Sequence, residues 1–271
     1  MSAPPRSTAS RTLVFVHAHP DDEALLTAGT MARASAEGHR VILVVATDGA
    51  AGLASSNFTD LAATRSAELD QSARALGVAR TVLLGYPDSG LHGEVADGLA
   101  QASRFDVARR IAAICDEEHA DVLIGYDPSG GYGHPDHLQV HHATRAASVL
   151  ATAPPRLFEA TLPREPIARA VHLAAATGLT PAEFDPAEFD VAWTPKEKIT
   201  HRVNVRSHLA AKNASLRAHA SQASADGTVR TLAVLTRLPR PLQSLVLGTE
   251  FYVLVSDPHR VSTSSTAVAE S

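Results

Sequence analysis

The stretch Thr12-Leu13-Val14-Phe15-Val16-His17-Ala18-His19-Pro20-Asp21-Asp22-Glu23 sets the reading of the whole chain. It begins with a short apolar run, rich in β-branched and aromatic side chains, of the kind that forms a buried strand. Pro20 followed by three acids is a helix start, because proline suits the first turn and carboxylates favour the positive end of the helix dipole. The segment reads as strand, turn, helix, and outward from it the same unit repeats. Strands are expected at Thr12–His17, Val41–Ala46, Thr81–Leu84 and Val122–Gly125, and helices at Ala24–Glu37, Leu61–Leu76, Phe105–Glu118 and Asp136–Leu150. In the third helix Val107, Ile111, Ile114 and Cys115 recur at helical spacing. Such alternation predicts an α/β fold with a mostly parallel sheet and helices on both faces.

The second half is less regular. Pro154-Pro155 marks a break, and the acid-, Ala- and Pro-rich segment Pro163–Asp190 reads as a helical or loop insertion. A helix is expected at Ser207–Gln222, a helix or strand at Leu232–Leu238, and a last strand at Phe251–Val255. The expectation is a single domain over residues 11–256: a core over 11–152 and a pocket-completing C-terminal elaboration over 153–256. The polar tails 1–10 and 262–271 are expected to be disordered.

Composition narrows the function classes. The 271 residues carry a formal charge of -5 and no run of Lys or Arg, so no nucleic-acid partner is expected. The apolar run Leu13–Val16 is too short for a membrane span or a signal-peptide core, which points to a cytoplasmic protein. Cys115 is the single cysteine and sits in an apolar pattern, so it is expected on a buried helix face rather than as a nucleophile.

Two motifs carry chemistry. His19-Pro20-Asp21-Asp22-Glu23 follows the first strand, where ligands of a parallel sheet bind, and a cation would relieve the repulsion among its carboxylates. As a plain helix start it would look the same. Gly130-Gly131-Tyr132-Gly133-His134-Pro135-Asp136-His137 follows the fourth strand and again puts His-Pro-Asp at a strand end and a helix start. Taken together, the motifs offer imidazoles and carboxylates suited to catalytic zinc, with Fe²⁺ as the alternative. His141 and His142, further along the helix, are expected on its surface, and His17 is expected to be a packed core residue. By chemistry alone Arg65 reads as a surface charge.

The paired signatures Ala18-His19-Pro20-Asp21-Asp22-Glu23 and Tyr132-Gly133-His134-Pro135-Asp136-His137 resemble those of the N-acetylglucosaminyl-phosphatidylinositol deacetylase-like (PIG-L, LmbE-like) zinc hydrolases. The likeness covers residues 11–152 well. It continues weakly through Lys212, His219, Ser221 and Gln222, which resemble a K…H-x-[ST]-Q stretch of the family. The resemblance implies a Rossmann-like three-layer sandwich and a bacterial enzyme that removes an N-acetyl group from an N-acetylglucosamine-type sugar. It implies His19, Asp22 and His137 as zinc ligands and Asp21 as general base. It also implies that His134, with Asp136 on its other ring nitrogen, stabilises the tetrahedral intermediate or protonates the leaving amine. Tyr132 would polarise the carbonyl, and Arg65 and Asp88 would contact the sugar. A homo-oligomer is suggested by analogy alone. The loop Asp48-Gly49-Ala50-Ala51-Gly52 is less acidic than in the mycothiol-pathway subgroup, which bears on the substrate and not on the metal. An amidase for larger thiol or secondary-metabolite conjugates is the enzymatic alternative. A Rossmann-like binding module is the non-enzymatic one, disfavoured because no G-x-G-x-x-G follows the first strand.

Overall fold

The computed structural model describes residues 10–50, 61–177, 185–223 and 235–258. The expected tails, apart from Ser10, lie outside these residues. The chain runs β1 (Thr12–His17), α1 (Asp22–Leu26), α2 (Ala28–Ala36), β2 (Arg40–Thr47), α3 (Leu61–Leu76), β3 (Arg80–Tyr86), α4 (Arg104–Glu117) and β4 (Val122–Tyr126). It continues through the turn α5 (Gly130–Gly133), α6 (Pro135–Leu150), β5 (Arg156–Thr161), α7 (Arg164–Ala176), β6 (His201–Asn204), α8 (Leu209–Ala218), the turn α9 (Ala220–Ala223), α10 (Arg240–Leu247) and β7 (Thr249–Ser256).

The strands form one sheet in the order β3-β2-β1-β4-β5-β7-β6. β1 to β5 pair in parallel, and β7 runs antiparallel to both β5 and β6. Val14 and Val16 of β1 pack with Ile111 of α4 and Val140 of α6 on one face. Phe15 packs with Met31 of α2 and Leu69 of α3 on the other. Burial on both faces explains why β1 reads as a continuous apolar run rather than an alternating one. Each such large side chain contributes roughly 1.5–3 kcal/mol. Helix, sheet and helix make the expected three layers.

The order also positions the site. From β1 the chain builds outward to β2 and β3, then returns to β4 on the other side of β1. The crevice at the carboxyl ends of β1 and β4 is therefore a topological switch point, the usual ligand site of an open α/β sheet. Both chemistry-bearing motifs leave the sheet there.

Several expectations need correction. The helix expected at Ala24–Glu37 breaks at Thr27, whose φ is -135°. The Thr27 hydroxyl is held by His17 Nε2 at 2.8 Å, and the Glu250 carboxylate receives the N–H groups of Gly29 and Thr30 at 2.8 and 2.7 Å. A carboxylate reaching in from β7 thus caps α2. The helix expected at Ser207–Gln222 is interrupted at His219, between α8 and α9. The Pro163–Asp190 segment opens with α7 and ends in a 3₁₀ turn at Pro186–Asp190. Leu235–Arg237 is helical, while 232–234 lie outside the described residues. Strands β5 and β6 were not expected at all. Cys115 is buried in the core as expected. Among the described residues, no helix is long and apolar enough to cross a membrane.

Candidate active site

The loop after β1 turns sharply. Asp21 has φ 132° and ψ -23°, a region that a non-glycine residue enters only at a cost of about 1–3 kcal/mol and that clusters at functional sites. The turn brings Asp22 back under the loop, where its Oδ2 accepts the N–H of His19 at 2.9 Å and the hydroxyl of Tyr126 at 2.6 Å. On the β4 side, Pro135 starts α6 and puts His137 in the first turn. There His137 Nδ1 meets the carbonyl of Gly130 at 3.1 Å. That contact leaves Nε2 as the free ring nitrogen.

Three donor atoms then face one another: His19 Nδ1, Asp22 Oδ2 and His137 Nε2. Their separations are 3.4 Å from His19 to Asp22, 3.4 Å from His137 to Asp22 and 3.3 Å between the two imidazoles. A tetrahedral ion with bonds of about 2.0–2.1 Å spaces its ligands about 3.3–3.4 Å apart. The triangle is near-equilateral at that size, so the donors present fit a tetrahedral ion. His19 also shares two wider groupings with ligand atoms within 4.8 Å of one another, one with His134 and His137 and one with Asp88 and Asp136; Asp88 and Asp136 meet Nε2, the opposite edge of its ring.

The outer contacts orient this set. His19 Nε2 is held by Asp136 Oδ2 at 3.1 Å, with Asp88 Oδ1 at 3.5 Å, which turns Nδ1 toward the triangle. Burial would raise the Asp22 carboxyl, but the charge and hydrogen bonds of His137 and His19 outweigh it and hold it well below the usual carboxylate range. Burial likewise opposes Asp88, yet the His19 contact holds it at about 2. Asp22 and Asp88 thus stay ionised at neutral pH. Tyr126 stacks on His137 with ring centroids 4.3 Å apart and accepts the Ala18 N–H at 2.9 Å. Tyr126→Phe is therefore expected to weaken metal affinity by about 10–100-fold. A chelator competition titration of wild type and variant would show it, and equal affinities would remove Tyr126 from the site.

The structure places the remaining expected residues as follows. Asp21 Oδ1 accepts from Arg65 Nη2 at 3.2 Å, and burial lifts its carboxyl to about 6 against the pull of Arg65. Arg65 is buried, not on the surface. Its guanidinium also donates to the carbonyls of Pro20 and Gly49, at 2.6 and 2.8 Å, so it braces the Asp21 loop. Asp136 departs from expectation. Its carboxylate goes to His19 and to the N–H of Ser89 at 3.0 Å, and only its backbone N–H reaches His134 Nδ1, at 3.2 Å. The reason is local: His134 is the N-cap of α6, and its ring takes one of the helix's unpaired N–H groups. With Nδ1 accepting, the ring proton sits on Nε2. Tyr132 is half exposed, its ring 5.3 Å from that of His137.

Four residues were missed. Tyr126 ends β4, and Asp127 follows it. Asp127 Oδ1 takes the N–H groups of Ser129 and Gly131, and Oδ2 takes the hydroxyls of Thr161 and Thr194. It shapes the turn that carries Tyr132. Trp193 has φ 59° and lies over Gly131, where an added Cβ would meet its ring at 2.7 Å; Gly131 itself has φ 68°. Only glycine fits there. Position at a strand end was the one signal available for Tyr126 and Asp127. The fourth, Glu23, lay inside the first motif but was given no role. His141, expected on the surface, is buried with Nδ1 on the Tyr126 carbonyl at 2.9 Å; His142 is exposed.

Comparison with known proteins gives the following. The family model for GlcNAc-PI de-N-acetylase (PIG-L) matches residues 14–148. A 1D-myo-inositol 2-acetamido-2-deoxy-alpha-D-glucopyranoside deacetylase of Mycobacteroides abscessus is 37% identical, over 94% of this chain and 95% of that one. Among solved structures, the N,N'-diacetylchitobiose deacetylase of Pyrococcus horikoshii superposes with a TM-score of 0.60 at 21% identity, covering 91% of this chain and 83% of that chain. GalB, a 4-carboxy-2-hydroxymuconate hydratase of Pseudomonas putida, superposes with a TM-score of 0.59 at 16% identity, covering 93% and 98%. These two likenesses show the fold alone, and their different reactions illustrate that fold does not fix chemistry.

Proposed function

Because this chain belongs to the GlcNAc-PI de-N-acetylase family, we propose that it hydrolyses the acetamide of an N-acetylglucosamine-type sugar conjugate at a zinc site made by His19, Asp22 and His137. The observation that carries the reading is the donor triangle, with edges of 3.3 to 3.4 Å. Two imidazoles and one carboxylate suit zinc, and Fe²⁺ is the second fit; Mg²⁺ would call for more oxygen ligands. When bound, the ion would polarise the acetyl carbonyl and lower the pKa of water to about 7.

The chain's own groups supply the rest. The Asp21 carboxylate, aimed by Arg65 and by its turned backbone, takes the proton of the attacking water and hands it to the departing nitrogen. His134 donates its Nε2–H to the developing oxyanion. The backbone N–H at Nδ1 favours this donor role over a fully protonated ring. Tyr132 presents its hydroxyl from the same turn. Each such donor contributes on the order of 3 kcal/mol to the transition state. Asp136 acts by orienting His19. Asp88 Oδ2, which has no partner among the described residues, receives a sugar hydroxyl. Arg65 supports the sugar side of the pocket through Asp21.

The test is amine release from a panel: N-acetylglucosaminyl-inositol, N,N'-diacetylchitobiose and bulky N-acyl conjugates. Chelator-sensitive release that is fastest on an N-acetylglucosamine derivative is expected. Release confined to the bulky amides would move the enzyme to the amidase reading.

A further inference from the structure

The late polar stretch Lys212…His219-Ala220-Ser221-Gln222 does not enter the site, yet it converges on the back of the metal loop. Lys212 is buried, donates to the carbonyl of Leu25 at 2.9 Å and pairs with Glu250. Ser221 gives both its N–H and its hydroxyl to Glu68 of α3, at 2.8 and 2.7 Å. Between these anchors His219, fully buried where α8 breaks, puts Nε2 2.6 Å from Glu23 Oε1. The same oxygen receives the Ser72 hydroxyl at 2.6 Å. The other oxygen, Glu23 Oε2, receives the backbone N–H of Asp21 at 3.0 Å.

The last bond gives the cluster its meaning. A buried carboxylate needs donors, and His219 and Ser72 already meet that need at Oε1. Oε2 instead grips the one backbone in the loop with φ 132°. A backbone in that region persists only where its surroundings hold it. A line of hydrogen bonds therefore runs from His219 through Glu23 to the Asp21 backbone, while Arg65 holds the Asp21 side chain. We propose that His219 is a positioning residue for deacetylation: through Glu23 it keeps the Asp21 backbone turned so that its carboxylate stays aimed at the reacting atoms. The inference rests on Asp21 being the base.

The experiment compares His219→Leu with His219→Gln in the full chain loaded with zinc, reading kcat, KM, zinc content and Tm. His219→Leu lowers kcat roughly 10–100-fold, the loss that a small misplacement of a reacting group brings, with KM and zinc content unchanged. His219→Gln, whose Nε2 can reach Glu23, restores most of kcat. A purely structural histidine would lower Tm and leave kcat per zinc-loaded chain within about twofold, which would overturn the proposal. If the leucine variant does not fold, His219→Asn removes the same donor with a shorter polar side chain; unchanged kcat there overturns it equally. Asp21→Asn runs alongside. If that variant keeps its turnover, the base assignment fails. If it loses turnover while His219→Leu does not, only the positioning role fails.

Discussion

Asp21→Asn is expected to lower kcat by about 10²–10⁴-fold, the usual worth of a positioned general base, while the protein keeps its zinc. Asp21 lies beside the donor triangle without being part of it, because its carboxylate is turned to Arg65 rather than to His19 and His137. An asparagine keeps the size and can still accept from Arg65, so the loop stays in place. It cannot take a proton. Burial that lifts the carboxyl to about 6 suits the task, since such a group is mostly ionised at neutral pH yet basic enough to take a proton from water. Steady-state kinetics with elemental analysis of the same sample checks this. Full turnover would move the base elsewhere, and zinc loss with turnover would make Asp21 a ligand.

His137→Ala is expected to abolish tight zinc binding and to cost more activity than the roughly 10–100-fold of an outer-contact change such as Tyr126→Phe. His137 supplies one corner of the triangle, 3.3 Å from His19 and 3.4 Å from Asp22. The nearest imidazole, His134, is committed through Nδ1 to the N-cap of α6. The variant leaves the Gly130 carbonyl without its ring partner, a cost of about 1–3 kcal/mol that a folded domain tolerates. Zinc content and circular dichroism together separate loss of the metal from loss of the fold. A folded variant that still carries zinc with wild-type affinity would break the ligand assignment.

The likeness to the family proposed His19, Asp22 and His137 as ligands, and the structure brings their donor atoms within 3.3 to 3.4 Å of one another. His19, Asp22 and His137 fall where β1 and β4 deliver them, and the apolar runs of those strands are long enough to place both ends. What the sequence could not show was set by contacts between distant segments. β5, Arg-Leu-Phe-Glu-Ala-Thr, has its apolar residues interrupted by Glu159, which lies inside with Arg145 at 2.9 Å and His141 at 3.4 Å, so its apolar run is short. β6, His-Arg-Val-Asn, is a mostly exposed edge strand with no apolar face to betray it. The family resemblance made Asp136 a partner for His134. The helix start turned its carboxylate toward His19, 117 residues away. At the break, His219 likewise meets a distant partner, Glu23, 196 residues away. Arg65 looked like a surface charge in a helical pattern and is instead the brace of the Asp21 loop.

The claim on which all of this depends is that His19, Asp22 and His137 hold one ion in tetrahedral geometry. X-ray absorption at the zinc edge of the zinc-loaded wild-type protein measures that directly. A four-ligand shell of nitrogen and oxygen at about 2.0–2.1 Å, with outer scattering from two imidazoles, is the expected spectrum. A shell of six oxygens, or one without imidazole scattering, would contradict the assignment.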